Sequence, residues 1–183
     1  HSADAVYWLN GKNGRWVTSN YYVSALPGWV EKFNDSGSVA GYSSQKWEIS
    51  RPLKAYHNEE YTDIAVDSAK GISFDFLTRK KYDYDRLCAS PAGNTLVKDF
   101  AVQAIIYEGL GNDDAPDILN IVFDASRRIG EKYGTGSIEL EDSYYRLDED
   151  LAALLSFLDT QVGRDRLLVV LTSDHGASDP VRA

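Results

Sequence analysis

The chain has 183 residues, of which 43% are hydrophobic, so it is long enough for one domain with an apolar core. Its formal net charge of −9 at pH 7 argues against nucleic acid as a partner, because non-specific affinity for nucleic acid comes from Lys and Arg. No apolar run approaches the roughly 18 residues that a membrane span needs, and the single cysteine, Cys88, excludes an intrachain disulfide.

The first half of the chain begins with a predicted β-hairpin. Two runs rich in β-branched and aromatic residues, residues 4–9 and 15–23, flank the turn sequence NGKNG. A short amphipathic helix is predicted next, with Pro27 near its start and Gly37 after its end. Residues 36–90 show no repeat and no sustained period, and we interpret them as an inserted, cap-like region of loops and short strands.

Regular patterns return in the second half. Apolar residues at helical spacing predict a helix that begins at a cap on Asn94 or Thr95 and ends at Gly111. The apolar run at residues 116–124 has the composition of a buried strand. The residues that follow it are predicted to form a loop.

A long helix between Ser137 and Gly163 has the strongest pattern in the chain. Its predicted buried face consists of Leu147, Leu151, Leu154, Leu155, Leu158 and Val162. Residues 166–172 then predict a second buried strand, so strand, helix and strand form a βαβ unit with parallel strands. The predicted fold class is α/β, a mainly parallel sheet with flanking helices, with its core in residues 91–183.

A ligand site is predicted beyond the carboxyl ends of these strands, where ligands bind in open sheets of this kind. Asp174 and His175 follow the second strand and are adjacent candidate ligands for a divalent ion, although two ligands alone do not hold zinc. In the other interpretation, Asp174 caps the next turn and His175 is a surface histidine. Spacing alone favours that second interpretation.

Several segments, in chain order, resemble the alkaline phosphatase superfamily, and most closely the bacterial phosphatases grouped with the type I phosphodiesterases/nucleotide pyrophosphatases. The segments are ADAVYWLNGKNGRWVTSNYY, LPGWVEKFN, SPAGNTLVKDFAVQAIIYEGLG, PDILNIVFD, YGTGSIELEDSYYRLDEDLAALLSFLD and LLVVLTSDHG. The resemblance leaves only the irregular middle poorly matched. It implies a hydrolase of small phosphate esters with two zinc ions and a Thr or Ser nucleophile.

By this resemblance, Asp174 and His175 correspond to the Asp-His pair that binds the zinc ion next to the nucleophile. The nucleophile and a further metal-binding Asp are expected upstream of residue 1, and a last His ligand downstream of residue 183. We therefore expect residues 1–183 to be a single partial domain with no catalytic residue of its own. Such a chain is expected to bind zinc weakly, and to self-associate through uncovered sheet edges.

The loop after residues 116–124 departs from the family pattern. Where the family has an Asp and, four residues later, a His that bind the other zinc ion, this chain has Arg127 and Glu131. Arg127 cannot be a ligand, because a guanidinium offers no lone pair, and Glu131 is a weak candidate without its partner. The two opposite charges are spaced to pair with each other, or they are a solvated pair of little consequence. Asp124 could replace a ligand only if the loop shifted register.

Two hypotheses follow for the longer protein expected to contain this chain. In the first, it is a metal-dependent phosphoric ester hydrolase of the alkaline phosphatase or phosphodiesterase type, to which this chain supplies one metal half-site and a substrate-facing cap. In the second, it is a catalytically inactive relative with a binding or structural role. The chain alone is expected to be inactive in both, and the resemblance alone implies a periplasmic or secreted location.

Overall fold

The structure is a computed structural model that describes residues 3–57, 73–74, 83–173 and 175–176. Within these ranges the α-helices are α1 (Gly28–Asp35), α2 (Ser38–Ser43), α3 (Tyr84–Cys88), α4 (Pro91–Glu108), α5 (Ala125–Tyr133) and α6 (Ile138–Leu158). The strands are β1 (Trp8–Asn10), β2 (Arg15–Val17), β3 (Trp47–Glu48) and β4 (Ser73–Phe74). A π-helical turn covers Asp159–Gly163, and short 3-10 helices cover Leu53–Ala55 and Arg164–Arg166. None of the described helices combines the length and apolar character that crossing a bilayer requires.

The predicted N-terminal hairpin is confirmed. Strands β1 and β2 pair antiparallel, with Trp8 opposite Val17, and are shorter than the runs that predicted them. The turn closes where the N–H of Gly14 donates to the carbonyl of Asn10 at 2.8 Å. Gly14 has a φ of 68°, which a residue without a Cβ adopts most readily.

The first apolar core lies where the hairpin and α1 pack on α4. The ring of Trp16 stacks on that of Phe100 with 3.8 Å between centroids, and Trp29 lies 5.0 Å from the same ring. The buried members of this core are Trp16, Trp29, Val30, Val39, Leu87, Leu96, Phe100 and Ala104. Helix α1 was predicted from its apolar spacing, and its predicted position between Pro27 and Gly37 is confirmed.

The second core joins α5 and α6 to residues 47–57, which we call the cap base. Its buried members are Trp47, Tyr56, Ala125, Ile129, Ile138 and Leu140. Strand β3, at the start of the cap base, pairs antiparallel with β4. Helix α5 is therefore held between α6 and the cap base.

Helix α4 begins and ends earlier than the sequence predicted. It begins at Pro91, not after a cap on Asn94 or Thr95, because proline suits the first helical position, where no N–H is needed. It ends at Glu108 because Gly109 adopts a φ of 68°, before the chain reaches Gly111. Asn94 is consequently a buried residue inside the helix.

Helix α6 begins as predicted, but its buried face differs from the prediction. The hydroxyl of Ser137 accepts the N–H of Leu140 at 3.2 Å, which confirms the N-terminal cap. Leu154 is buried as predicted, whereas Leu155 is 40% exposed. The other buried residues are Ile138, Glu139, Leu140, Asp142, Ser143 and Asp150. Polar residues in this set have partners inside the protein, so apolar spacing alone could not identify the face.

The prediction of two buried, parallel strands is wrong for the described residues. Residues 116–124 and 167–173 carry no regular secondary structure, and the strand pairs that the described ranges contain are antiparallel. Ile118 is 95% exposed and Leu168 is 90% exposed. A parallel strand obtains its burial and backbone hydrogen bonds from neighbouring strands and covering helices, and no strand ladder joins either segment to another described residue.

Candidate functional site

Helix α5 carries Arg127 and Glu131 and was predicted to be a loop. Ala125, Ile129 and Tyr133 lie four residues apart, and the first two are buried in the second core. That spacing was the one available signal for a helix. It places Arg127 and Glu131 on the opposite, exposed face of α5.

The predicted pairing of Arg127 with Glu131 is confirmed and extends to Asp124. Arg127 Nη1 lies 2.6 Å from Glu131 Oε1, while Nε and Nη2 lie 2.6 Å and 3.0 Å from the two carboxylate oxygens of Asp124. The Nε of Arg128 adds a fourth bond, at 2.8 Å, to Asp124 Oδ2. We call these four residues the α5 ion cluster.

Hydrogen bonds within the α5 ion cluster shift the pKa values of Asp124 and Arg127 so that both stay charged. Hydrogen bonds from Arg127, and next from Arg128, hold the pKa of the Asp124 carboxyl below its ordinary value, although partial burial opposes them. The same bonds to Asp124 and Glu131 raise the pKa of Arg127, which therefore stays a cation. Both oxygens of Asp124 accept hydrogen bonds from guanidinium groups, and a metal ion placed there would compete with Arg127 and Arg128 for them. These residues do not fit a zinc site.

Asn94 supports the start of α5 from the neighbouring helix α4. Its side-chain Oδ1 accepts the N–H of Ala125 at 3.2 Å, and its Nδ2 lies 3.4 Å from the Oγ of Ser126. The Oγ of Ser126 lies a further 3.2 Å from the Oγ of Ser143 on α6. The sequence does not predict this buried polar connection, because its helix pattern makes Asn94 or Thr95 the cap of α4.

The other predicted metal site is only partly described. Asp174 lies outside the described residues. His175 is exposed, and its Nδ1 lies 2.9 Å from the carbonyl oxygen of Gly176. Among the residues that the structure describes, no group of three or more His, Cys, Asp or Glu is placed to hold a metal ion.

The family assignment rests on nearly the whole chain. The family model described as type I phosphodiesterase/nucleotide pyrophosphatase matches residues 1–181. The chain belongs to this family. It is 37% identical over 187 residues to a protein named calcium-transporting ATPase from Myroides odoratus, covering 97% of this chain and 34% of that relative. It is 33% identical to alkaline phosphatase PhoV from Synechococcus elongatus, again covering 97% of this chain and 34% of the relative.

A solved structure supports the same assignment. The crystal structure of alkaline phosphatase PafA matches with a TM-score of 0.72 and 30% sequence identity, over 87% of this chain and 32% of that chain. The PafA of Elizabethkingia meningoseptica is 33% identical over 99% of this chain and 34% of its own length. These matches confirm the predicted resemblance and the α/β fold class. The parallel pairing predicted for residues 116–124 and 166–172 is still not formed among the described residues. The chain spans about a third of the length of these relatives.

Proposed function

We propose that this chain is part of a longer alkaline-phosphatase-like protein that retains one metal half-site, at Asp174 and His175, and has exchanged the other for the α5 ion cluster. Such a protein binds a small phosphate ester and turns it over poorly. It acts in the periplasm or outside the cell, as bacterial alkaline phosphatases commonly do, and uses zinc at the half-site that remains.

The contact of Arg127 with both Asp124 and Glu131 carries this proposal. A family member that bound two metal ions would need lone pairs from carboxylate and imidazole at residues 127 and 131. Here the first residue is a cation and the second accepts a hydrogen bond from it at 2.6 Å. A guanidinium at residue 127, paired with the carboxylate at residue 131, supports a replacement of the metal site.

The replacement changes what the site can do chemically. A zinc ion in such a site lowers the pKa of a bound water and supplies a nucleophile at neutral pH. A guanidinium supplies one positive charge and N–H donors, and it cannot lower the pKa of a water in this way. Arg127 can therefore help to hold an anionic phosphate group, but it leaves the hydrolytic step without an activated water.

An active, metal-dependent hydrolase is the second candidate. Its support is the 33% identity to two alkaline phosphatases over almost the whole chain, together with the Asp174–His175 pair in the sequence. This candidate requires a metal ligand beyond Arg127 and Glu131, either Asp124 in a shifted loop or a residue outside residues 1–183.

The decisive assay measures hydrolysis of aryl phosphate monoesters and diesters by the full-length protein in the presence of zinc. We expect kcat/KM to lie at least about 100-fold below that of an active alkaline phosphatase assayed in parallel, the typical loss when one stabilising group is removed from a transition state. The Arg127→Asp, Glu131→His double variant is expected to gain zinc binding. Lys132→His on the same helix is the matched control and is expected to gain none. Turnover by the natural protein at the rate of the active relative would overturn the proposal.

Zinc binding by the isolated chain tests the half-site separately. Asp174 and His175 provide two ligands where closed zinc sites use four, so we expect a dissociation constant above about 10 μM. Calorimetric titration measures it, with His175→Ala expected to abolish binding and His57→Ala, another exposed histidine, expected to leave it unchanged. Submicromolar binding that His175→Ala removes would show that further ligands exist.

A further inference from the structure

The N-terminus of α5 lacks the cap that its own sequence could provide. Asp124 occupies the N-cap position, where an aspartate ordinarily accepts an N–H from the first turn of its helix. Here it has φ −82° and ψ −12° and makes no such bond. Its two oxygens instead accept from Arg127 and Arg128. The Asp124 carboxylate therefore binds the two arginines and does not cap its own helix.

Asn94 supplies an acceptor to another N–H of the same turn, the one in the peptide group that joins Asp124 to Ala125. The side chain is 1% exposed, and its Oδ1 accepts the N–H of Ala125, the first residue of α5, at 3.2 Å. Its Nδ2 faces the Oγ of Ser126 at 3.4 Å, so both ends of the amide are aimed at the first two residues of the helix. A buried amide retains its position only where such partners exist.

We infer that Asn94 is a positioning residue: by accepting the N–H of Ala125 from the adjacent helix, it fixes the peptide group that follows Asp124 and so keeps the Asp124 carboxylate where it binds Arg127. Without the amide oxygen, the buried N–H of Ala125 loses its acceptor, the peptide group after Asp124 is no longer fixed, and the Asp124 carboxylate moves away from Arg127. Arg127 then loses its bidentate partner and keeps the single bond to Glu131. The inference deepens the proposed function and rests on it, because Arg127 matters functionally only if it replaces a metal ligand. The hydrogen bonds are tested without zinc or substrate.

The test follows the Arg127 Nε–H by NMR in the 15N-labelled chain, with its resonance assigned by its loss in Arg127→Lys. We expect solvent exchange of this proton to become faster by roughly tenfold in Asn94→Ala and Asn94→Leu, the factor typical of one lost hydrogen bond. Asn94→Asp keeps an oxygen acceptor and is expected to restore slow exchange. Ser126→Ala removes the other partner of Asn94 and is expected to change the rate little.

Three outcomes would overturn the inference. Unchanged exchange in folded Asn94→Ala shows that Arg127 is held without the bond to Asn94. Equal acceleration in Asn94→Asp and Asn94→Leu shows that Asn94 acts through its shape alone. The third measurement needs no variant: in the natural chain, the N–H of Ala125 is expected to be protected from hydrogen exchange. Exchange at the rate of an exposed amide would show that its bond to Asn94 is not formed. If the full-length protein turned over phosphate esters as fast as an active relative while all three NMR results were as expected, the role of Asn94 would stand and only the proposed function would be rejected.

Discussion

The Asp142→Ala variant is expected to lose about 3–5 kcal/mol of unfolding free energy, the typical cost of removing one member of a buried charged network. Asp142 lies on α6 and is fully buried. It accepts from Trp47 Nε1, Tyr56 Oη and Ser50 Oγ, each at 2.7 Å, and from Arg146 Nε at 2.9 Å. The substitution removes the acceptor that these donors share at the junction between α6 and the cap base.

Urea denaturation of the natural chain and the variant measures this loss. Asp148→Ala, at an exposed position on the same helix, is the matched control and is expected to change stability by less than about 0.5 kcal/mol. Asp142→Asn keeps one acceptor oxygen, and its loss of unfolding free energy is expected to lie between those of Asp142→Ala and Asp148→Ala. A loss below about 1 kcal/mol in Asp142→Ala would mean that the network contributes no more than one ordinary hydrogen bond.

The pH dependence of stability provides a second test of the same residue. Burial by itself raises the pKa of Asp142, and the donors from Ser50, then Trp47 and Tyr56, outweigh it, so the pKa lies below its ordinary value. A carboxyl whose pKa is lower in the folded state stabilises the protein above its unfolded pKa of about 3.9, and this contribution is lost as pH falls through the folded value. The stability difference between the natural chain and Asp142→Asn is therefore expected to shrink below about pH 4. A difference that stayed constant from pH 7 to pH 2 would contradict this assignment.

Local signals explain the parts of the fold that the sequence predicts correctly. The NGKNG turn, Pro27 and the cap at Ser137 act on the few residues beside them, and the hairpin, α1 and the start of α6 follow. Helix α5 was missed because its sequence is short and highly charged, and only three apolar or aromatic residues mark its inner face. The buried polar face of α6 was missed for a related reason, since Asp142 and Ser143 are buried through partners far away in sequence.

In the candidate site, too, the sequence predicts the contact between near neighbours in the chain but not the contacts that depend on helix packing. The pairing of Arg127 with Glu131 is an i, i+4 contact, which the sequence states directly once the helix is known. The bidentate bond to Asp124 and the hydrogen bond to Asn94 depend on how α4 and α5 lie against each other, and no spacing within one segment encodes that arrangement. Asp174 and His175 are candidate ligands by their position after the predicted strand and by family resemblance, and their role as ligands stays a prediction.

The chain is expected to self-associate through residues 116–124 and 167–173. In the second segment both faces are uncovered: Leu168 and Val170 are 90% and 77% exposed, and Val169 and Leu171, which alternate with them, are 57% and 76% exposed. A half-buried strand would cover one of these sets. Apolar segments without a strand partner are templates for pairing with another chain, and a continuous exposed patch of this kind is rare on monomers.

Sedimentation velocity across a concentration series tests this expectation. We expect the natural chain to associate at micromolar concentration, and the Leu168→Lys, Val170→Lys double variant to weaken association at least about tenfold, because two charges on the segment oppose strand pairing. Gln161→Lys adds a charge at an exposed position just before the segment and is the control, with association expected to be unchanged. A natural chain that sediments as a monomer at every concentration would contradict this expectation. In such a monomer, slow hydrogen exchange at the amides of Leu168 and Val170 would show that this segment is covered within the chain.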